Sequence, residues 1–142
     1  MQDILKRLVT ELHGACFKPN GFKKTAGSFL RMDGVARQTL KFSSSRWNSP
    51  NGPVSFSIYI WLEFTDITYD DSSQFSGLPL STYISHLRTL VPEAPPFFDL
   101  TAANYEVIKS QLLVMLPRAC QELPKHYEKV RSQLSKGERA WV

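Results

Sequence analysis

Hydrolytic and metal chemistry needs histidines, cysteines or carboxylates drawn close together. The three histidines, His13, His86 and His126, stand in separate stretches with no paired ligand spacing, and neither His-Glu-x-x-His nor Cys-x-x-Cys occurs. Cys16 and Cys120 lie far apart, so two reduced, buried thiols are expected rather than a disulfide framework. The run Ser43, Ser44, Ser45 has no Gly-x-Ser-x-Gly turn and no adjacent histidine, which leaves a serine nucleophile without its base. Gly14, Gly21, Gly27 and Gly34 are isolated turn formers and make no phosphate-cradling loop. The one cluster of carboxylates is Asp66, Asp70 and Asp71 with Glu63 nearby. It lacks the sharp-turn glycine and distal bidentate glutamate of a calcium loop, so a solvated acidic loop able to face a basic partner is expected. No catalytic, cofactor-binding or metal-binding residue is assigned, and no cofactor is expected. The enzymatic alternative is a site assembled in space from scattered residues such as Glu63, His86 and Arg88.

A second cluster is basic and aromatic. Arg31, Arg37, Lys41, Arg46 and Trp47 lie on or beside a hairpin, and Tyr59 and Trp61 lie on the polar side of the next strand. Arg37, Thr39 and Lys41 alternate to one side of their strand. If that side joins Tyr59 and Trp61, the sheet presents an aromatic, cationic face suited to binding a protein or to stacking single-stranded nucleic acid. Tyr, Trp and Arg dominate interface energies, so this face is the expected interaction site.

The elements that must position these residues follow from periodicity. Ile4, Leu5, Leu8, Val9, Leu12 and Cys16 recur at helical spacing, which predicts an amphipathic first helix ending near Phe17, before Pro19 and the turn pair Asn20-Gly21. Residues 28–32 and 35–42 read as a hairpin around Asp33-Gly34. The clearest pattern is Val54, Phe56, Ile58, Ile60, Leu62 and Phe64 alternating with Ser55, Ser57, Tyr59, Trp61 and Glu63: one face in, one face mostly wet. Residues 83–91 are expected as a fourth strand, with a short helix as the alternative, and the proline-rich 92–96 as an extended connection. A helix follows Thr101 as its N-cap, with Pro117 kinking or interrupting it, and a last helix spans about residues 125–134, with Gly137 suited to its end. The fold class is α+β: a mainly antiparallel sheet of about four strands, with an N-terminal helix and C-terminal helices packed on one face, in a single domain of 142 residues.

The net charge of +4 is unevenly distributed. Residues 1–47 carry nine bases against three acids, residues 48–108 one base against seven acids, and residues 109–142 seven bases against three acids. Retained in the fold, this would give an acidic surface flanked by basic ones. No apolar run approaches the roughly 20 residues of a membrane span. Charges at positions 3, 6, 7 and 11 interrupt any signal-peptide core, so a cytoplasmic location without membrane association is expected.

The stretch Phe17-Lys18-Pro19-Asn20-Gly21-Phe22-Lys23-Lys24-Thr25, followed by Ser28-Phe29-Leu30-Arg31, resembles a bacterial family known as domain of unknown function 4304 (DUF4304). Residues 40–48 are similar to the family's strand ending in a Gln-x-Ser-Arg type motif, and residues 55–60 to its following strand. Ser43 stands where the glutamine is expected, and Arg88 is the sole match to the family's later Arg-x-Arg segment. The resemblance covers roughly residues 5–100 and implies a bacterial origin and a shared fold, without an established activity. Small stand-alone members of the family are similar in size and style to immunity proteins that neutralise toxins. The expected function is therefore a non-enzymatic interaction domain with a protein partner, immunity-like in format; the alternative is nucleic-acid binding through the basic, aromatic face.

Overall fold

A computed structural model describes residues 3–25, 28–44, 52–66 and 82–135. Helix α1 (Asp3–Leu12) buries Leu5, Leu8, Val9 and Leu12 and runs into a π-helical turn, His13–Phe17, closed by the Lys18 N–H on the His13 carbonyl at 2.8 Å. Strands β1 (Lys23–Thr25), β2 (Ser28–Asp33), β3 (Ala36–Ser44) and β4 (Val54–Phe64) follow. Then come β5 (Thr82–His86), the single turn α2 (Leu87–Leu90) and β6 (Phe98–Leu100). Helix α3 (Tyr105–Glu122), a 3-10 turn (Leu123–His126) and α4 (Tyr127–Ser135) complete the described chain.

The sheet is antiparallel and has six strands, in the order β1-β2-β3-β4-β5, with β6 also on β4. This exceeds the four expected, because β1 and β6 are three residues each and too short to show a period. Residues 83–91 divide between β5 and α2. The Arg88 N–H donates to His86 Nδ1 at 3.0 Å, so the histidine caps a helical turn and ends the strand. The hairpin loop is Gly34-Val35, one residue later than read from sequence, with Gly34 at φ +61°. Asn104, not Thr101, is the N-cap of α3. Thr101 stands three residues earlier in a reciprocal pair: the Asn104 N–H donates to Thr101 Oγ1 at 3.1 Å, and the Thr101 N–H to Asn104 Oδ1 at 2.7 Å. The helix continues through Pro117. The expected role of Gly137 lies outside the described residues.

The alternation of β4 decides the architecture. Val54, Phe56, Ile58, Ile60, Leu62 and Phe64 are each at most 3% exposed and join one core cluster with the buried residues of α1, α3 and Val130 of α4. Burying each such side chain contributes about 1.5–3 kcal/mol. A line of phenylalanines crosses the strands within this core: Phe17 stacks on Phe29 at 3.9 Å, Phe29 meets Phe42 at 5.9 Å, Phe42 stacks on Phe56 at 5.8 Å, and Phe56 on Phe98 at 5.2 Å. The helices cover this inner face, leaving the opposite parity of each strand for the outer one.

Two polar ties bind distant parts of the chain. On the hairpin, Gln38 is fully buried; its Oε1 accepts from Arg31 Nε at 2.9 Å and Nη2 at 2.7 Å, and its Nε2 donates to the Tyr127 hydroxyl. That hydroxyl donates onward to Asp33 Oδ2 at 2.8 Å. Between α1 and α3, Glu11 accepts from the Tyr105 hydroxyl at 2.8 Å and pairs with Lys109 and Arg7 at 3.0 Å each.

Hydrogen bonds from Lys109, then Tyr105 and Arg7, hold the Glu11 carboxyl at about 2. Burial first, then Glu11, pushes Tyr105 up to about 12, and burial with Asp33 does the same for Tyr127. The unfolded chain protonates Glu11 more readily than the folded one, so its contribution is complete above about 4.5 and is lost as pH falls toward about 2. The tyrosines have the opposite sign: their contribution is complete below 10 and is lost as pH rises through about 12. In denaturant titrations across the acid range, Glu11→Gln should flatten the fall in midpoint between pH 4.5 and 2; a slope equal to wild type would contradict this tie.

Candidate functional site

Strand register sets the outer face. Met32 of β2 lies opposite Arg37 of β3, which lies opposite Glu63 of β4. One step along, Leu30, Thr39, Trp61 and Ile84 form a row across four strands, and beyond it Ser28, Lys41, Tyr59 and His86 form another. Lys41 Nζ sits 5.0 Å from the centre of the Trp61 ring, in cation–π range, and the His86 ring meets Tyr59 edge-on at 5.5 Å. Arg37 and Lys41 are exposed, and Tyr59 and Trp61 are half-buried with their faces toward this side. Neighbouring strands are spaced about 4.8 Å apart, so the rows span roughly 15 Å.

The face ends in a groove. β5 and β6 pair with the same edge of β4, one beyond the other, and the chain between them leaves the sheet through α2 and the prolines. This excursion is pinned at His86, whose Nδ1 accepts the Arg88 N–H and whose Nε2 therefore donates to the Pro96 carbonyl at 3.0 Å. Burial lowers the affinity of the ring for a second proton, which keeps it neutral. Tyr59 and His86 of the sheet, Arg88, Thr89 and Pro92, and Pro96 and Phe97 line a cavity of about 480 Å³. Phe97, at the edge of this groove, is 58% exposed and offers its ring to a partner.

The structure sorts the residues singled out from sequence. Arg37, Lys41, Tyr59, Trp61 and Glu63 share the outer face. Arg31 leaves this set: it has the parity of Phe29, lies opposite Gln38 and projects to the helix-covered face, where its guanidinium rests 4.7 Å over the Phe22 ring. Arg46, Trp47, Asp70 and Asp71 lie outside the described residues. Asp66 is held by a two-point pair with Arg131 of α4, both bonds 2.8 Å, and Glu93 is paired with Arg118 of α3. Two acids of the middle segment are thus matched by bases of the last one, so the charge segregation of the sequence is partly cancelled by folding. Glu63 and His86 are not brought together. Glu63 pairs with Thr82, and His86 with Tyr59 four residues away on β4, about 13 Å along the strand. Both His86 nitrogens are engaged by backbone, so its role is a clamp. Among the described residues, no group of three His, Cys, Asp or Glu side chains could hold a metal ion, and no helix is long and apolar enough to cross a membrane.

Phe97 and the His86–Pro96 clamp were missed by reading the sequence. The signal for Phe97 was Phe98 and Leu100 flanking Asp99: if those two point inward, the residue before Phe98 points out.

Fold and face together define an α+β domain with helices on one side of an antiparallel sheet and an aromatic, cationic surface on the other. Compared with protein families, curated proteins and solved structures, the chain matches none.

Proposed function

We propose that this chain is a non-enzymatic interaction domain, of the bacterial type its DUF4304-like motifs imply, that binds an acidic protein surface through its outer sheet face in the cytoplasm. The format is that of a small immunity-like protein neutralising a toxin. One observation carries the reading: Lys41 stacked over Trp61, with Tyr59 and Arg37 alongside, on a face that continues into a groove edged by the exposed ring of Phe97. Aromatic rings beside arginine and lysine supply buried area at small entropic cost together with complementarity to carboxylates. Nucleic acid fits this surface less well, because Arg31 faces the core side and Glu63 lies among the remaining cations.

The test is capture of a binding protein from nuclease-treated lysate of the source organism by wild type, Trp61→Ala and Lys41→Glu chains, followed by affinity measurement on the purified pair. Trp61→Ala is expected to weaken binding by about thirtyfold or more, the loss typical of a central aromatic anchor. A Gln111→Glu control, exposed on helix α3, should leave it unchanged. Equal binding by all four chains would overturn the reading, and material lost on nuclease treatment would transfer it to nucleic acid.

A further inference from the structure

A second cavity, of about 260 Å³, lies on the helix-covered side of the sheet. Its floor is apolar: Ile60 and Leu62 of β4, Leu90 of α2, Leu123 of the 3-10 turn and Val130 of α4, none more than 8% exposed. Two hydroxyls interrupt that floor. Ser85 Oγ reaches the His86 carbonyl at 3.5 Å, the limit of a hydrogen bond. Thr89, also in the lining, has a buried hydroxyl with no hydrogen-bond partner among the described residues. His126 and the solvent-exposed Lys129 complete the lining, which places an ammonium group at the mouth. The cavity is thus apolar within, sparsely polar in its wall and cationic at the entrance, the profile of a site for a small amphipathic anion. An aliphatic cavity of about 150 Å³ holds a benzene ring, so this volume suits one ring with a short side arm.

We propose that this cavity binds a small monocarboxylic acid with a single aromatic ring, the ring on the Leu90–Leu123–Val130 floor and the carboxylate toward Lys129 and His126. The site opens on the helix-covered side through Ile60 and Leu62, and it shares only Thr89 of its lining with the outer-face groove.

The experiment titrates 3-phenylpropionate, and 3-phenylpropanol as its neutral analogue, into the full chain while amide shifts are followed by NMR. Saturable shifts centred on Leu90, Leu123 and Val130 are expected, with the acid binding about fivefold or more tighter than the alcohol. Lys129→Gln, an exposed substitution that leaves the core intact, should bring acid and alcohol within about twofold of each other. Val130→Phe, which fills the cavity, should abolish binding of both, provided its spectrum remains folded; Thr89→Leu is the second filling variant. Absence of saturable shifts up to about 10 mM, shifts mapping elsewhere, or an acid preference unchanged by Lys129→Gln would each overturn the proposal.

Discussion

Phe56→Ala is expected to remove about 3–5 kcal/mol of folding stability, the range for truncating a fully buried phenylalanine. The side chain is inaccessible to solvent at the middle of the aromatic line, stacked between Phe42 at 5.8 Å and Phe98 at 5.2 Å. Its removal exposes neighbours that cannot collapse into the gap, because Phe42 and Phe98 belong to different strands hydrogen-bonded on either side of β4. A domain of this size holds about 5–15 kcal/mol in total, so the variant should stand near its unfolding threshold. Denaturant unfolding of Phe56→Ala and Phe56→Leu checks this. The leucine variant keeps most of the volume and should lose much less, and a loss under about 1 kcal/mol in the alanine variant would show the line to be loosely packed. Amide exchange should rise first in β6, whose three residues are anchored to the core through Phe98 and Leu100.

Gln38→Leu should cost about 2–3 kcal/mol, although leucine is apolar and similar in size. Gln38 is fully buried, and its oxygen takes two bonds from Arg31. Leucine strands a guanidinium beside the core with the Asn20 carbonyl, at 3.2 Å, as its remaining bond on this side. The cost is the desolvation of a partner left behind, not the loss of a favourable contact alone. A second readout separates this from general loosening. The Gln38 amide bond lowers the Tyr127 pKa against the upward push of burial and Asp33, so Gln38→Leu should move the Tyr127 ionisation, already near 12, still higher. A stability loss without that displacement would mean that the network is not what Gln38 supports.

What could be read from the sequence was whatever local periodicity encodes. The eleven alternating residues of β4 identified both faces of the sheet, and the spacing of Leu5, Leu8, Val9 and Leu12 identified the buried side of α1. Three-residue strands carry no such period, which is why β1 and β6 were not expected. The end of β5 depended on a side-chain cap, His86 on the Arg88 N–H, that competes with strand propensity and leaves no mark in a hydropathy pattern. For the site, alternation placed Arg37 and Lys41 together, but their alignment with Trp61 and Tyr59 was fixed by the register of β3 on β4. Arg31 was legible in principle. It shares parity with Phe29, and a reader weighting the apolar neighbour over the charge would have turned it inward. The groove required a backbone carbonyl, that of Pro96, to return beside a ring ten residues earlier, and nothing in residue identity announces such a return.

The tie between Gln38 and Tyr127 spans 89 residues of chain. On a ribosome working at about 5–20 residues per second, the first hairpin therefore waits roughly 4–18 seconds for the residue that satisfies its buried amide. During that interval α1 and Phe17 are already made, but the part of the inner face that α3 and α4 cover, beside Arg31 and Gln38, stays bare until α4 has emerged. Completion of this fold therefore awaits synthesis of α4, and a chain released before Tyr127 would be a substrate for chaperones and proteases rather than a smaller version of the same domain.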